Sequence, residues 1–216
     1  RVFHDAAAVF LEAELSWDEK MTRVAIVGGQ GETDAFALYR QREMIPHFLA
    51  GEKSRLTPLE QQVASLERKD PRGSLGPFKE LDGTVGLIMG GYGASLMIFD
   101  LLLRLKIKPA NYCDISGDLS VRKIRDFTML LASKPGVSRL AVVGNVGVRV
   151  RADMVLRGVI KGLLEMGEDP ASWIGIFRLP GEAEDEAVAL GHQYGIKSCD
   201  RTLSIEDALR WLVTRG

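Results

Sequence analysis

From residue 84 to the C-terminal end, short apolar runs alternate with longer amphipathic runs, and this alternation leaves the chain few folds. "TVGLIM" (84–89), "ANYCDI" (110–115), "LAVVG" (140–144), "WIGIF" (173–177) and "IKSC" (196–199) have the length and composition of buried strands. The intervening segments have helical spacing. They run from about Ala94 to Leu105, over Val121–Ala132 behind Ser120, from "NVGVRVRAD" through Met166, across "LPGEAEDEAVALGHQYG", and behind Ser204 at the end. Ser120 and Ser204 are cap residues, and Glu206 and Asp207 place carboxylates at the positive end of the last helix. Strands joined through helices must lie parallel, and right-handed crossovers reduce the possible orders to very few.

The expected fold class is α/β: a flavodoxin-like doubly wound parallel five-stranded sheet, order 2-1-3-4-5, with an irregular N-terminal arm. Residues 1–80 form that arm and residues 81–216 the sheet domain. Within the arm, "MTRVAIVGGQGETDAF" reads as a strand, a glycine turn and a helix start. "VGGQGET" (27–33) imitates a dinucleotide fingerprint, but Asp34 stands at the third glycine position, so it is read as a plain turn. "LTPLEQQVASLERKD" is a polar helix with Thr57 as cap and Pro58 in its first turn, and "DPRGSLGP" reads as a linker.

Glycine contributes nothing to packing, so Gly90, Gly91 and Gly93 between two greasy runs need a reason. In a doubly wound sheet, ligands bind beyond the carboxyl ends of the strands where the order reverses, between the first and third strands. "GGYGAS" and "GNVGVRVRAD" leave those two strands and each precedes a helix, so both would aim free N–H groups at one crevice. Gly91 and Gly93 would admit a phosphate or carboxylate to the backbone, and Arg149 and Arg151 would add charge. The competing reading is that the glycines only let helix and strand pack closely, and that alternating "VGVRVR" carries both arginines in solvent.

Bulk properties exclude several classes. The 216 residues are 46% apolar and 26% charged, enough for a normal core. The net charge of −1 calls for neither nucleic acid nor an anionic membrane. Asp100 and Arg104 interrupt the most apolar stretch, Ala94–Leu105, so no membrane span is expected, and acidic residues appear too early for a signal peptide. The chain does not begin with Met, as in a fragment or processed chain. Cys113 and Cys199 sit in no metal motif, read as buried hydrophobes, and fit a reducing cytoplasm. His4, His47 and His192 adjoin no nucleophile, and "GEAEDEA" reads as a solvated helix start. No catalytic residue and no metal ligand is assigned.

Five ordered segments and one aspartate then match a known pattern: "LDGTVG" (81–86), "GGYGAS" (90–95) with Asp100, "PANYCD" (109–114), "SGD" (116–118) and "RAD" (151–153). Over about residues 80–216 the chain resembles the C-terminal CoA-ligase domain of the succinyl-CoA synthetase β subunit. Citryl-CoA and malyl-CoA synthetases and part of ATP-citrate lyase share that domain. The resemblance implies an ADP-forming acid–CoA ligase, using ATP or GTP with Mg and CoA, incomplete without an ATP-grasp domain and an α-like subunit bearing a phosphohistidine. "RVFHDAAAVFLEAEL" fits the last remnant of the ATP-grasp part. The resemblance maps acid-substrate binding to Gly90, Gly91, Gly93 and Ala94, and phosphate binding to Gly147, Val148, Arg149 and Val150. Succinyl-CoA synthetases carry Asn where this chain has Gly90, and a family glycine is Val148 here, so the acid stays open. The alternatives are a non-catalytic ligase-like interaction or ligand-sensing module and, third, a stand-alone nucleotide binder.

Overall fold

A computed structural model describes residues 8–17, 24–33, 56–91, 93–145 and 149–213, the first two stretches by backbone course alone. The chain divides into two compact units, Arg1–Arg55 and Leu56–Gly216.

In the first unit, β1 (Ala8–Trp17) pairs antiparallel with β2 (Val24–Thr33). The glycines of "VGGQGET" lie inside β2, with Gly28 opposite Glu14, Gly29 opposite Ala13 and Gly31 opposite Leu11. The expected turn is therefore a strand. A register shift where Glu14 faces Gly28 and Leu15 faces Ile26 accommodates one extra residue, a bulge of the kind that glycine-rich strands tolerate. The expected helix start from Asp34 lies outside the described residues.

The second unit begins with α1 (Pro58–Lys69), opened by a complete capping box: Thr57 Oγ1 accepts from the Glu60 N–H at 3.2 Å, and Glu60 accepts from the Thr57 N–H at 3.0 Å. Leu59, Val63 and Leu66 bury one face of α1 in the main core. The compact unit that holds the sheet thus begins at Leu56 rather than near residue 80, because the apolar stripe of α1 packs into its core. The "DPRGSLGP" stretch is not a free linker either. Buried Lys123 donates from Nζ to the carbonyls of Asp70 (2.9 Å), Arg72 (3.3 Å) and Gly73 (3.1 Å) and pairs with Glu67 at 2.8 Å.

The sheet is a parallel ladder of β4 (Val85–Gly90), β6 (Arg139–Gly144) and β7 (Ile174–Arg178), in that spatial order. Successive side chains point to opposite faces. Ile88, Leu140, Val142 and Phe177 pack with α3 (Val121–Ala132), α4 (Ala152–Glu165) and α6 (Glu184–Gln193). Leu87, Met89, Val143 and Ile176 pack with α2 (Gly93–Arg104) and α7 (Ile205–Arg210). Helices therefore cover both faces. A short α5 (Pro170–Trp173), unforeseen in the sequence, precedes β7. Among the described residues no helix is long and apolar enough to cross a membrane.

The five full strands expected are not formed. Residues 109–115 run parallel beside β4 but join it by isolated bridges, Val85 with Pro109 and Gly90 with Ile115, and Ser198 alone bridges Phe177 of β7. Between the first two bridges, side chains replace the backbone ladder. The Leu87 N–H donates to Asn111 Oδ1 (2.8 Å), Asn111 Nδ2 donates to the Leu87 carbonyl (2.9 Å), and the Cys113 thiol donates to that carbonyl at 3.0 Å. The backbone at Asn111 is thereby released to the other side. There β5 (Asn111–Tyr112) pairs antiparallel with β3 (Lys79–Glu80). Cys113 is thus more than a small hydrophobe, and burial pushes its thiol up to about 12.

Candidate functional site

At the carboxyl edge of the sheet, the exits of β4 and β6 meet. Gly90 stands opposite Gly144 in the ladder, and the Asn145 N–H donates to the Gly90 carbonyl at 3.0 Å. The two expected elbows are therefore neighbours. Gly147 and Val148 lie outside the described residues.

The glycines have separate reasons. A Cβ on Gly90 would meet Ile115 Cγ1 and its carbonyl at 3.2 Å, which is a packing need. Gly91 has φ +127°, a conformation L side chains rarely adopt, and a Cβ there would meet Asn145 at 3.1 Å. Gly93 needs neither among the described residues: a Cβ there would meet none of them within 4 Å. It opens the 12-residue α2, whose first amides have no intrahelical acceptor. Ala94 contributes less, because its N–H is taken by the Gly91 carbonyl at 3.2 Å. One turn in, Ser95 is wholly buried, and its hydroxyl has no partner among the described residues.

On the other elbow, Arg149 is exposed with φ +66°, and Val150 is buried. Arg151 is engaged by a carboxylate of its own chain. Its Nε and Nη2 grip the two oxygens of buried Asp153 at 3.1 and 3.2 Å, and Arg157 Nε approaches the same carboxylate at 3.7 Å. This stem is tied to the loop after β7, because the Ala152 N–H donates to the Glu182 carbonyl (2.9 Å) and the Glu182 N–H to the Val150 carbonyl (3.1 Å).

Sequence reading missed three contributors here. Leu179 packs beneath both elbows, where a Cβ on Gly144 would lie 2.5 Å from its Cδ1. Arg178, the last residue of β7, is buried and donates from Nη1 to the Gly144 carbonyl at 2.8 Å. An arginine closing the apolar run "IGIFR" was the available signal. Glu184, read as part of a solvated acidic start, is instead buried, accepts from the Arg201 N–H and Nε at 2.7 Å each, and pairs with the Arg201 guanidinium. Of the histidines, described His192 places Nε2 3.2 Å from the Ser198 carbonyl, a structural contact. Among the described residues no three His, Cys, Asp or Glu side chains converge.

No family model matches the chain. It is 27% identical over 175 residues to the β subunit of ADP-forming succinate–CoA ligase from Proteus mirabilis, covering 77% of this chain and 42% of that protein. It is 34% identical over 119 residues to the corresponding subunit from Methanothermobacter thermautotrophicus, covering 55% of this chain and 31% of that protein. The chain thus spans less than half the length of these relatives. In fold it matches the ATP citrate lyase from Methanothrix soehngenii solved with citrate and coenzyme A, with a TM-score of 0.73, 16% identity, and coverage of 99% of this chain and 56% of that one. Its ordered motifs and these relatives together identify the chain as similar to the CoA-ligase domain of succinate–CoA ligase β subunits.

Proposed function

We propose that this chain is the C-terminal part of a β subunit of an ADP-forming acid–CoA ligase, and that the meeting elbows hold the charged group in transit. The observation that carries this is Gly93: a helix N-terminus where, among the described residues, nothing stands within 4 Å of a Cβ and no positive φ calls for glycine, beside elbows fastened to each other. Bare backbone there lets an anion reach unpaired N–H groups and the positive end of the helix dipole. Preorganised donors of this kind stabilise a phosphoryl or carboxylate charge without reorganising as it shifts. Nucleotide and CoA, held by other parts of the whole enzyme, supply the phosphoryl group and the thiol acceptor. The chain's own contribution is to position the acid at Gly90–Ala94 and to steady the phosphoryl group at 147–150, opposite the histidine of an α-like subunit.

Exposed Leu96, Met97 and Leu103 on α2, the helix that starts at the site, support a partner surface there. The unpaired thiols of Cys113 and Cys199 agree with a cytoplasmic setting. One observation favours the non-catalytic alternative: Arg151, one of two cations expected at the site, is committed to Asp153.

The test uses the β chain assembled with its α-like partner. Gly93→Asp places a carboxylate in the open space and is expected to lower acyl-CoA formation at least about tenfold, whereas Gly93→Ala keeps the N–H and retains activity. Equal turnover in both variants refutes the reading, and a wild-type assembly that forms no acyl-CoA favours the non-catalytic module.

A further inference from the structure

The buried guanidinium of Arg178 bonds backbone and no carboxylate. It donates from Nη1 to the Gly144 carbonyl (2.8 Å), from Nε to the Leu203 carbonyl (2.8 Å) and from Nη2 to the Arg201 carbonyl (3.4 Å). Among the described residues no ion pair forms at Arg178, and burial pushes its pKa down, with Cys199, Glu184 and Asp200 nearby acting in the opposite direction. A cation kept in the interior at that cost, with neutral partners only, calls for an explanation.

The peptide unit it holds supplies one. The carbonyl of Gly144 faces β7 and accepts from Arg178, while the N–H of the same peptide, on Asn145, donates to Gly90. That plane is therefore fastened on both sides, directly before the loop that carries Gly147 and Val148. The far stem of the loop, Val150–Ala152, is fastened through Glu182 to the loop after the strand that Arg178 ends. Arg178 also fixes the Arg201 carbonyl, and Arg201 grips Glu184 at the start of α6. One continuous set of bonds thus ties Gly144 on one side and Val150–Ala152 on the other to the edge of β7.

We propose that Arg178 is a positioning residue for the meeting point of the two elbows: its three-way grip on the Gly144, Arg201 and Leu203 carbonyls sets the orientation of the 144–145 peptide and, through the Asn145 N–H, of the Gly90 carbonyl at the exit of β4. This inference rests on the anion reading of the elbows. A planar fork can serve three carbonyls in different directions, whereas a lysine ammonium on its flexible stem cannot reproduce that geometry although it carries the same charge. Charge alone and geometry therefore make opposite statements about Arg178→Lys.

The experiment compares the full chain with its Arg178→Lys and Arg178→Gln variants in two readouts. The first is amide hydrogen exchange at Asn145, against Ala141 in β6 and Leu163 in α4. The second is titration with inorganic phosphate. Both variants are expected to exchange the Asn145 amide at least about tenfold faster, with Ala141 and Leu163 still protected, and to bind phosphate at least about tenfold more weakly. Restored binding and protection in the lysine variant would overturn the inference, as would an unchanged Asn145 amide, or phosphate affinity kept while that amide is freed. Loss of protection throughout the molecule in both variants makes Arg178 a folding residue and overturns it too. If the wild type itself binds no phosphate, the anion reading fails, and the Asn145 amide still decides whether Arg178 positions the peptide.

Discussion

Replacing Asn111 by alanine tests whether one side chain really stands in for a strand. Asn111 is fully buried, and its amide both accepts from the Leu87 N–H and donates to the Leu87 carbonyl, at 2.8 and 2.9 Å. Alanine leaves that N–H without an acceptor in the interior, at about 1–3 kcal/mol. The carbonyl keeps the Cys113 thiol at 3.0 Å, so its loss is smaller, about 1 kcal/mol. The emptied side-chain volume adds roughly 1 kcal/mol more. The total is about 3–5 kcal/mol, or a fall in Tm of roughly 10 °C for a domain of this size. Urea unfolding of wild type and N111A, with m-values compared, reads it directly. Cys113→Ala alone is expected to cost about 1 kcal/mol, and the double variant more than the sum, because the Leu87 carbonyl then loses both partners. A cost for N111A below about 1 kcal/mol would mean that edge strand is held by its end bridges alone, and would refute the substitution of side chains for backbone.

Lys123→Met removes the fastening of residues 70–73 and is expected to cost about 2–4 kcal/mol, with faster hydrogen exchange across 70–76 than in β6. Asp70 is held down to about 2, chiefly by the Ser120 hydroxyl and then by Arg72. Its ionised form is favoured on folding, so that stabilisation is present above the usual carboxylate range and is lost as pH falls from 3.8 toward about 2. Asp70→Asn should flatten the urea midpoint in that window, and a slope equal to wild type would contradict the assignment. Gly144→Ala sets a methyl 2.5 Å from Leu179 Cδ1 and 2.7 Å from the Gly90 carbonyl, and should cost about 1–3 kcal/mol by thermal melting. Gly93→Ala, in open space, should leave stability within about 1 kcal/mol of wild type.

Local signals were legible wherever the chemistry was local. Thr57, Ser120 and Ser204 cap the helices expected of them, since a cap bonds an amide only three residues on. The order of segments across the sheet followed from alternation and crossover handedness, which are properties of the chain's course. What failed depended on distant partners. "ANYCDI" looked like a strand, yet its ladder is made by Asn111 and Cys113 side chains reaching residues 24–26 positions away. "IKSC" has the composition of a strand and forms a single bridge. "DPRGSLGP" has the composition of a linker, and its first residues are held by a lysine some 50 positions on.

Within the site the same division holds. Three glycines in "GGYGAS" announce bare backbone but cannot say why each is there; Ile115 explains Gly90, backbone conformation explains Gly91, and among the described residues nothing stands within 4 Å of a Cβ at Gly93. Arg151 looked like an anion contact and is committed to Asp153, whereas Arg178 attracted no notice and holds the elbow. By itself, then, the sequence determined the alternation, the caps, the helix-covered parallel sheet and the pair of glycine elbows, because these depend on residues near each other in the chain. Which strands close a full ladder, where the compact unit begins and which arginine holds the Gly144 carbonyl were decided by the tertiary structure, because buried hydrogen-bonding groups must find partners wherever folding brings them together.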